Sequence, residues 1–218
     1  SELINAISSE IGPPLNRIMG TLHLLKSKIK GDELSEVVNI LDQSVLKLDQ
    51  FSMLAQQISI LKSPGYSLKK KAVPLKQILQ YSSIETREEL KESNIGLENK
   101  LEADKYEVEG DADLLASCLT SLILNAKEHT ASTENILIKP LPQDGEVGLQ
   151  IIDGGSNYSE ALIGQLKYQF STSNPPLNLS MGIGLAVSQI IMEAHGGQLL
   201  FERTADNKGK MKMVFSDE

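Results

Sequence analysis

Residues 2–62 carry apolar side chains at alternating spacings of three and four, and this pattern predicts two successive amphipathic helices. Gly31-Asp32 interrupts the pattern and supplies a turn. Two helices cannot bury such wide stripes alone, so we expect residues 1–63 to dimerise into a four-helix bundle. Packing against the rest of the same chain is the alternative. The stripes comprise Ile4, Ile7, Ile11, Pro14 or Leu15, Ile18, Leu22, Leu25 and Ile29, then Leu34, Val37, Leu41, Val45, Leu48, Phe51 or Leu54, Ile58 and Leu61.

The remaining residues, 64–218, alternate between strand-like and helix-like segments after a predicted linker at Ser63-Pro64-Gly65. This order predicts an α+β domain. Asp111 is a plausible N-cap for the second of its helices. We expect strands at 66–73, 95–101, 136–141, 147–152, 198–204 and 210–215, and helices at 75–91, 111–129 and 182–194.

The net charge, the cysteine content and the length of the apolar runs each disfavour some classes of protein. The net charge of -8 disfavours a nucleic-acid binder, which would need a basic face. The single cysteine, Cys118, lies in an apolar helical segment and is interpreted as an inert buried thiol. No apolar run approaches the roughly 20 residues that span a bilayer. Because the chain starts inside a periodic helix, we expect a cytoplasmic fragment, with a membrane-anchored sensor as one source.

The first helix contains a motif at residues 7–16 that resembles the phospho-acceptor box of sensor histidine kinases. That family's pattern reads approximately Ser-His-Glu-(Leu/Ile)-Arg-Thr-Pro-Leu. Ser9 takes the place of the histidine, and the neighbouring Glu10 matches the family's general base. Gly12 and Pro13 replace the arginine and the polar residue that the resemblance links to phosphatase activity. The matching positions are Ser8, Glu10, Ile11, Pro14 and Leu15.

The missing imidazole predicts that autophosphorylation is absent, since a serine hydroxyl needs stronger activation to act as a nucleophile. The change at Ser9 is either natural divergence or a single engineered substitution. Losses at Gly12 and Pro13 in the same box favour divergence. His23 is a weaker candidate for an acceptor.

The second half resembles the histidine-kinase ATPase domain, a relative of gyrase-type ATPases, through four boxes in the family order. In the first, Asn125 matches the asparagine that coordinates Mg²⁺ in the family. Ser121 stands where a second asparagine is usual, and Glu128 stands where a basic residue is usual. In the second, Asp153 and Gly155 match the turn whose aspartate accepts a hydrogen bond from the adenine amino group.

The third and fourth boxes surround a predicted ATP lid at 171–181. Phe170 matches the phenylalanine that precedes this lid in the family. Gly182, Gly184 and Leu185 match the glycine-rich turn before a helix, where backbone N–H groups can approach phosphates. Asn157 and Ser180 replace family glycines. His195, in the closing His-Gly-Gly, is interpreted as a structural residue at a helix C-terminus.

The resemblance implies a helical hairpin followed by an α/β sandwich of the histidine-kinase ATPase type, with ATP and Mg²⁺ bound weakly or not at all. Our leading hypothesis is a two-component signalling protein that acts as a pseudokinase or scaffold. It would bind a response regulator receiver domain or a partner kinase. The alternative is an ATP-dependent kinase that phosphorylates a histidine of a partner chain in trans.

Overall fold

The computed structural model divides into two compact units, Ser1–Tyr66 and Ser67–Glu218. It describes residues 15–22, 25, 34, 37–41, 44–45, 48, 52, 61, 67–101, 106–141, 147–154 and 183–215, with only the backbone of Ile183 and Ala186. No described helix is both long enough and apolar enough to cross a membrane.

All the described residues of the first unit are helical. Leu15, Leu22, Val38 and Val45 form a buried cluster, and Met19 packs against it. Val38 rather than the predicted Val37 faces this cluster, because Val37 is exposed. The predicted stripes are therefore only partly buried within one chain. Further apolar side chains remain exposed at Ile18, Leu25, Leu34, Ile40, Leu41 and Leu48.

The second unit follows the predicted alternation of strands and helices. Its described elements are β1 (Lys71–Pro74), α1 (Leu75–Glu92), β2 (Gly96–Asn99), β3 (Glu107–Gly110), α2 (Ala112–Glu128), β4 (Asn135–Pro140), β5 (Val147–Ile152), α3 (Ile183–Ala194), β6 (Gln198–Arg203) and β7 (Gly209–Phe215).

Five of these strands form one mixed sheet in the order β2-β4-β5-β7-β6. β2 and β4 are parallel, and the other neighbours are antiparallel. β1 and β3 form a separate antiparallel pair. The mixed sheet and the helices that pack on it confirm the α+β class, and the four-helix bundle stays a prediction.

Two strand predictions need correction. The strand expected at 66–73 begins only at Lys71, since its first part is rich in lysine and serine and has few apolar residues to bury. β3 was not predicted at all. Its sequence, Glu-Val-Glu-Gly, offers Val108 as its one large apolar side chain, and it becomes a strand by pairing with β1.

The core of the second unit lies between the helices and the mixed sheet. α2 packs against both α1 and α3, and its apolar face is buried. Cys118 on this face is completely buried, and burial raises the pKa of its thiol to about 12. The predicted burial of the thiol is confirmed, and the raised pKa disfavours the reactive thiolate. The large, fully buried side chains include Ile78, Leu79, Leu115, Leu119, Leu122, Ile123, Ile136, Ile138, Leu149, Ile151 and Ile191.

Candidate functional site

Helix α2 presents Asn125, the predicted magnesium ligand. The helix starts at the predicted N-cap, where the Asp111 carboxylate accepts hydrogen bonds from the N–H groups of Asp113 and Leu114, at 3.2 and 3.3 Å. Asn125 lies near the other end and is half-buried. Its Nδ2 donates to Met211 Sδ at 3.8 Å, so its carbonyl oxygen is the atom suited to bind a cation.

Asp153, the predicted adenine-recognition residue, follows strand β5 and is 1% exposed. Its Oδ1 accepts a hydrogen bond from the Gly209 N–H at 3.2 Å, and its own N–H donates to the Gly209 carbonyl at 3.2 Å. Two hydrogen bonds, one to the side chain and one from the backbone of Asp153, therefore link it to Gly209. A carboxylate fixed in this way is an acceptor of defined direction.

Thr130 connects the Asp153 turn to the end of α2. Its hydroxyl donates to the Ala126 carbonyl at 2.7 Å and accepts from the Gly154 N–H at 3.0 Å. A side chain on Gly154 would collide with Thr130 and Glu134. Asn125 and Asp153 therefore lie on two segments that one buried hydroxyl joins.

The start of α3 lies close to α2 at Gly184. A Cβ placed on Gly184 would collide with Ser121 Oγ. The contact continues along the helix, where Ser188 Oγ donates to the Gly184 carbonyl at 2.9 Å and Cys118 Sγ contacts the Ser188 carbonyl at 3.7 Å. Leu185, the neighbouring predicted site residue, is buried in the core. Gly184 therefore permits a close helix approach at the position where Ser121 replaces the family's asparagine.

This contact predicts a compensating pair of substitutions. Gly184→Ala has two opposing effects: alanine favours the helix by up to about 1 kcal/mol, and its methyl group overlaps the Ser121 hydroxyl. Ser121→Ala leaves only the Ser121 Cβ, 3.8 Å from the new methyl, so we expect Gly184→Ala to be about 1–2 kcal/mol less unfavourable in the Ser121→Ala background. Urea unfolding of the two single variants and the double variant measures the coupling. Equal losses in Gly184→Ala with and without Ser121→Ala would contradict the contact.

His195 is a structural residue, because its ring contacts both the end of α3 and the start of α2. It is 6% exposed. Nε2 accepts a hydrogen bond from the Asp111 N–H at 3.0 Å, and Nδ1 lies 2.6 Å from the Ile191 carbonyl. The first bond requires Nε2 to be unprotonated, so Nδ1 carries the hydrogen and the ring is neutral.

Burial lowers the pKa of His195, and Lys70 acts in the same direction, while the Ile191 carbonyl and Asp111 act against it. The unfolded chain therefore binds a proton at a higher pH than the folded chain. We expect full stability above the ordinary histidine pKa of about 6.5 and a loss as the pH falls below it. Urea unfolding between pH 8 and pH 5 should show this loss in the wild-type chain. The slope should be reduced in His195→Gln, and an unchanged slope in that variant would contradict the assignment.

Several predicted site residues lie outside the described residues, namely Ser9, Glu10, Gly155, Phe170 and Gly182. Glu128, expected near the phosphates, is exposed at the end of α2. Thr130 and Gly209 also belong to the site and were not predicted from the sequence. Thr130 ends the first box and Gly209 begins the last strand, but their roles depend on tertiary contacts between distant segments.

Comparisons with known proteins find similarity to histidine kinases. Residues 110–216 match the family of histidine kinase-, DNA gyrase B- and HSP90-like ATPases. Sporulation kinase A of Bacillus subtilis is 24% identical over 98% of this chain and 34% of its own length. The sensor protein BasS of Escherichia coli is 26% identical over 95% of the chain and 56% of its own length. The chain thus spans about a third to just over half of these relatives.

Solved structures show the same fold. Full-length ShkA, solved in complex with AMPPNP, is similar with a TM-score of 0.68 at 18% identity, over 99% of this chain and 46% of that one. The histidine kinase AdeS of Acinetobacter baumannii gives a TM-score of 0.62 at 18% identity, over 95% and 96% of the two chains. Residues 110–216 therefore form a domain similar to the histidine kinase-, DNA gyrase B- and HSP90-like ATPases, and over nearly its whole length the chain is similar to the catalytic cores of sensor histidine kinases.

Proposed function

We propose that this chain is the core of a two-component signalling protein whose second unit binds an adenine nucleotide and whose Ser9 accepts no phosphoryl group from it. The buried carboxylate of Asp153, held by Gly209, is the observation that carries the nucleotide proposal. An adenine amino group is a donor that such an acceptor suits. The family match over residues 110–216 and the AMPPNP bound by ShkA support the same ligand class.

Mg²⁺ would bind through the Asn125 carbonyl oxygen together with nucleotide phosphates and water. Mg²⁺ commonly keeps several waters and takes few ligands from the protein, so a single amide is compatible with it. Ser121 supplies a short hydroxyl where the family has a second amide, and Glu128 adds a negative charge at the end of the same helix. Both changes favour weak binding.

The leading proposal for the whole core is a scaffold. Residues 1–63 would form a homodimer, since side chains such as Ile18, Leu34 and Ile40 are exposed on the isolated unit and a second copy would cover them. The surface around Ser9 and Glu10 would then bind a response regulator receiver domain or a partner kinase. Nucleotide bound to residues 64–218 would act as a conformational signal.

The second candidate is a kinase that phosphorylates a histidine on a partner chain. Two observations favour it. Asn125 and Asp153 match nucleotide-binding positions of the family, and the Thr130 hydroxyl joins the segments that carry them. The two candidates agree on nucleotide binding and differ in whether the second unit can transfer a phosphoryl group.

Restoring the acceptor separates the two candidates. Titration of the full chain with AMPPNP and Mg²⁺, by calorimetry, first tests nucleotide binding, and its absence at millimolar nucleotide would contradict the nucleotide proposal. Ser9→His is then incubated with ATP labelled at the γ-phosphate, with Ser9→Ala as the control. Acid-labile label on Ser9→His alone would support the kinase candidate, whereas bound nucleotide without label would support the scaffold.

A further inference from the structure

Strand β2 leaves one of its two edges open. It lies at the end of the mixed sheet, and no described strand pairs with its outer side. The N–H of Gly96 donates to the Glu134 carbonyl at 3.0 Å, and the N–H of Lys100 donates to the Ile138 carbonyl at 2.8 Å. Since the direction of backbone groups alternates along a strand, the N–H and C=O groups of Leu97 and Asn99 point outward. Such an edge can accept an additional strand.

A groove runs between this edge and helix α1, and we name it the α1–β2 groove. Its volume is about 860 Å³. Ile84 and Leu90 of α1 line one side, and Ile95 and Leu97 line the other. Ile84 is 72% exposed, although it is a large aliphatic side chain. The groove therefore offers apolar contacts beside unpaired backbone groups, a combination suited to an extended peptide.

The charged side chains of the groove are all cationic. Arg87 and Lys91 lie one turn apart on α1, both are exposed, and neither forms an ion pair with another described residue. The remaining lining residues are apolar or neutral, with no carboxylate among them. This local positive charge contrasts with the net charge of -8 of the whole chain. Within the groove these two cations favour an acidic occupant over a basic one, while the exposed Glu88 of α1 lies just outside the lining.

We propose that the α1–β2 groove binds an extended acidic segment of a partner protein, which adds to the sheet as a strand along β2. A second copy of this chain fits the same edge less well. Two-fold pairing of β2 with β2 would place two grooves with cationic linings at one edge, and neither copy would supply from its own groove the acidic side chains that Arg87 and Lys91 favour. The residues assigned to nucleotide binding, Asn125, Asp153 and Gly184, do not line the groove.

Fluorescence polarisation of a labelled seven-residue peptide tests the proposal with the full chain. The probe alternates glutamate and valine, and its matched control alternates lysine and valine. We expect the acidic peptide to bind and the basic peptide to bind at least roughly tenfold more weakly.

N-methylation of alternate residues of the acidic peptide tests strand addition, because only one of the two alternate sets of N–H groups can pair with β2. Methylation of one set should abolish binding, and methylation of the other should be tolerated.

Charge reversal on the protein locates the peptide. Arg87→Glu combined with Lys91→Glu should weaken the acidic peptide roughly tenfold, whereas Lys69→Glu, an exposed change outside the groove, should not. An unchanged thermal unfolding curve shows that the double variant remains folded. Equal binding of both peptides, tolerance of both methylation patterns, or indifference to the double substitution would overturn the proposal. Self-association of the chain that the acidic peptide displaces would also overturn it, by assigning the edge to a second copy.

Discussion

Asp153→Asn should weaken AMPPNP binding by roughly 10- to 150-fold while leaving the fold intact. The substitution replaces an acceptor-only carboxylate with an amide that presents one acceptor and one donor group. The amide oxygen can still accept the Gly209 N–H that holds Asp153 Oδ1 at 3.2 Å. The amide NH₂ then faces the adenine amino group, so donor meets donor. Loss of a hydrogen bond to a charged group costs about 1.5–3 kcal/mol, which corresponds to this change in affinity.

Calorimetric titration of AMPPNP with Mg²⁺ measures the effect, and a thermal unfolding curve without nucleotide checks the fold. Asp113→Asn is the matched control, since it makes the same chemical change at an exposed position in the first turn of α2. It should leave affinity unchanged. If both substitutions weaken binding equally, general loss of negative charge rather than a directed hydrogen bond would explain the result.

Leu122→Ala should lower the free energy of unfolding of the second unit by about 3–4 kcal/mol. Leu122 is completely buried on α2, the helix that packs against both α1 and α3. Truncating such a leucine removes its transfer free energy and leaves a cavity, at a combined cost of about 2–5 kcal/mol. Small domains have a total stability of about 5–15 kcal/mol, so this single change removes a large share.

Leu124→Ala provides the control for Leu122→Ala. It is the same substitution two residues further along α2, at a half-buried position, and should cost less than half as much. Urea unfolding followed by circular dichroism measures both variants. Because the chain has two units, the transition that shifts with AMPPNP identifies the second one. Similar losses for the two variants would contradict the assignment of Leu122 to the core.

The helices of the second unit could be predicted because their signals are local. Asp111 supplies a side-chain cap, and apolar residues recur at helical spacing behind it. β3 gave no such signal, since a four-residue segment with Val108 as its one large apolar side chain becomes a strand only through its partner β1. In the first unit, periodicity alone could not tell whether Val37 or Val38 faces the partner helix, because adjacent positions on a wide stripe differ by only about 100°.

The residues of the candidate site also divide into those with a local sequence signal and those without one. Resemblance to a known motif was enough to single out Asn125 and Asp153. The partners that orient them, Met211 and Gly209, come from the last strand of the chain, and Thr130 links their segments. No local pattern announces these partners, because each becomes a neighbour only when the sheet has assembled.

The hydrogen bond from Asp111 to His195 joins residues that are 84 positions apart in the sequence. During synthesis from the N-terminus, helix α2 emerges well before its first turn can meet this imidazole. A nascent chain that ends before His195 therefore lacks the acceptor for the Asp111 N–H, and the first turn of the Asn125 helix gains this partner only after the segment that follows α3 has been made. Helix α2 thus begins from a cap in its own sequence and is completed by a contact that arrives later in synthesis.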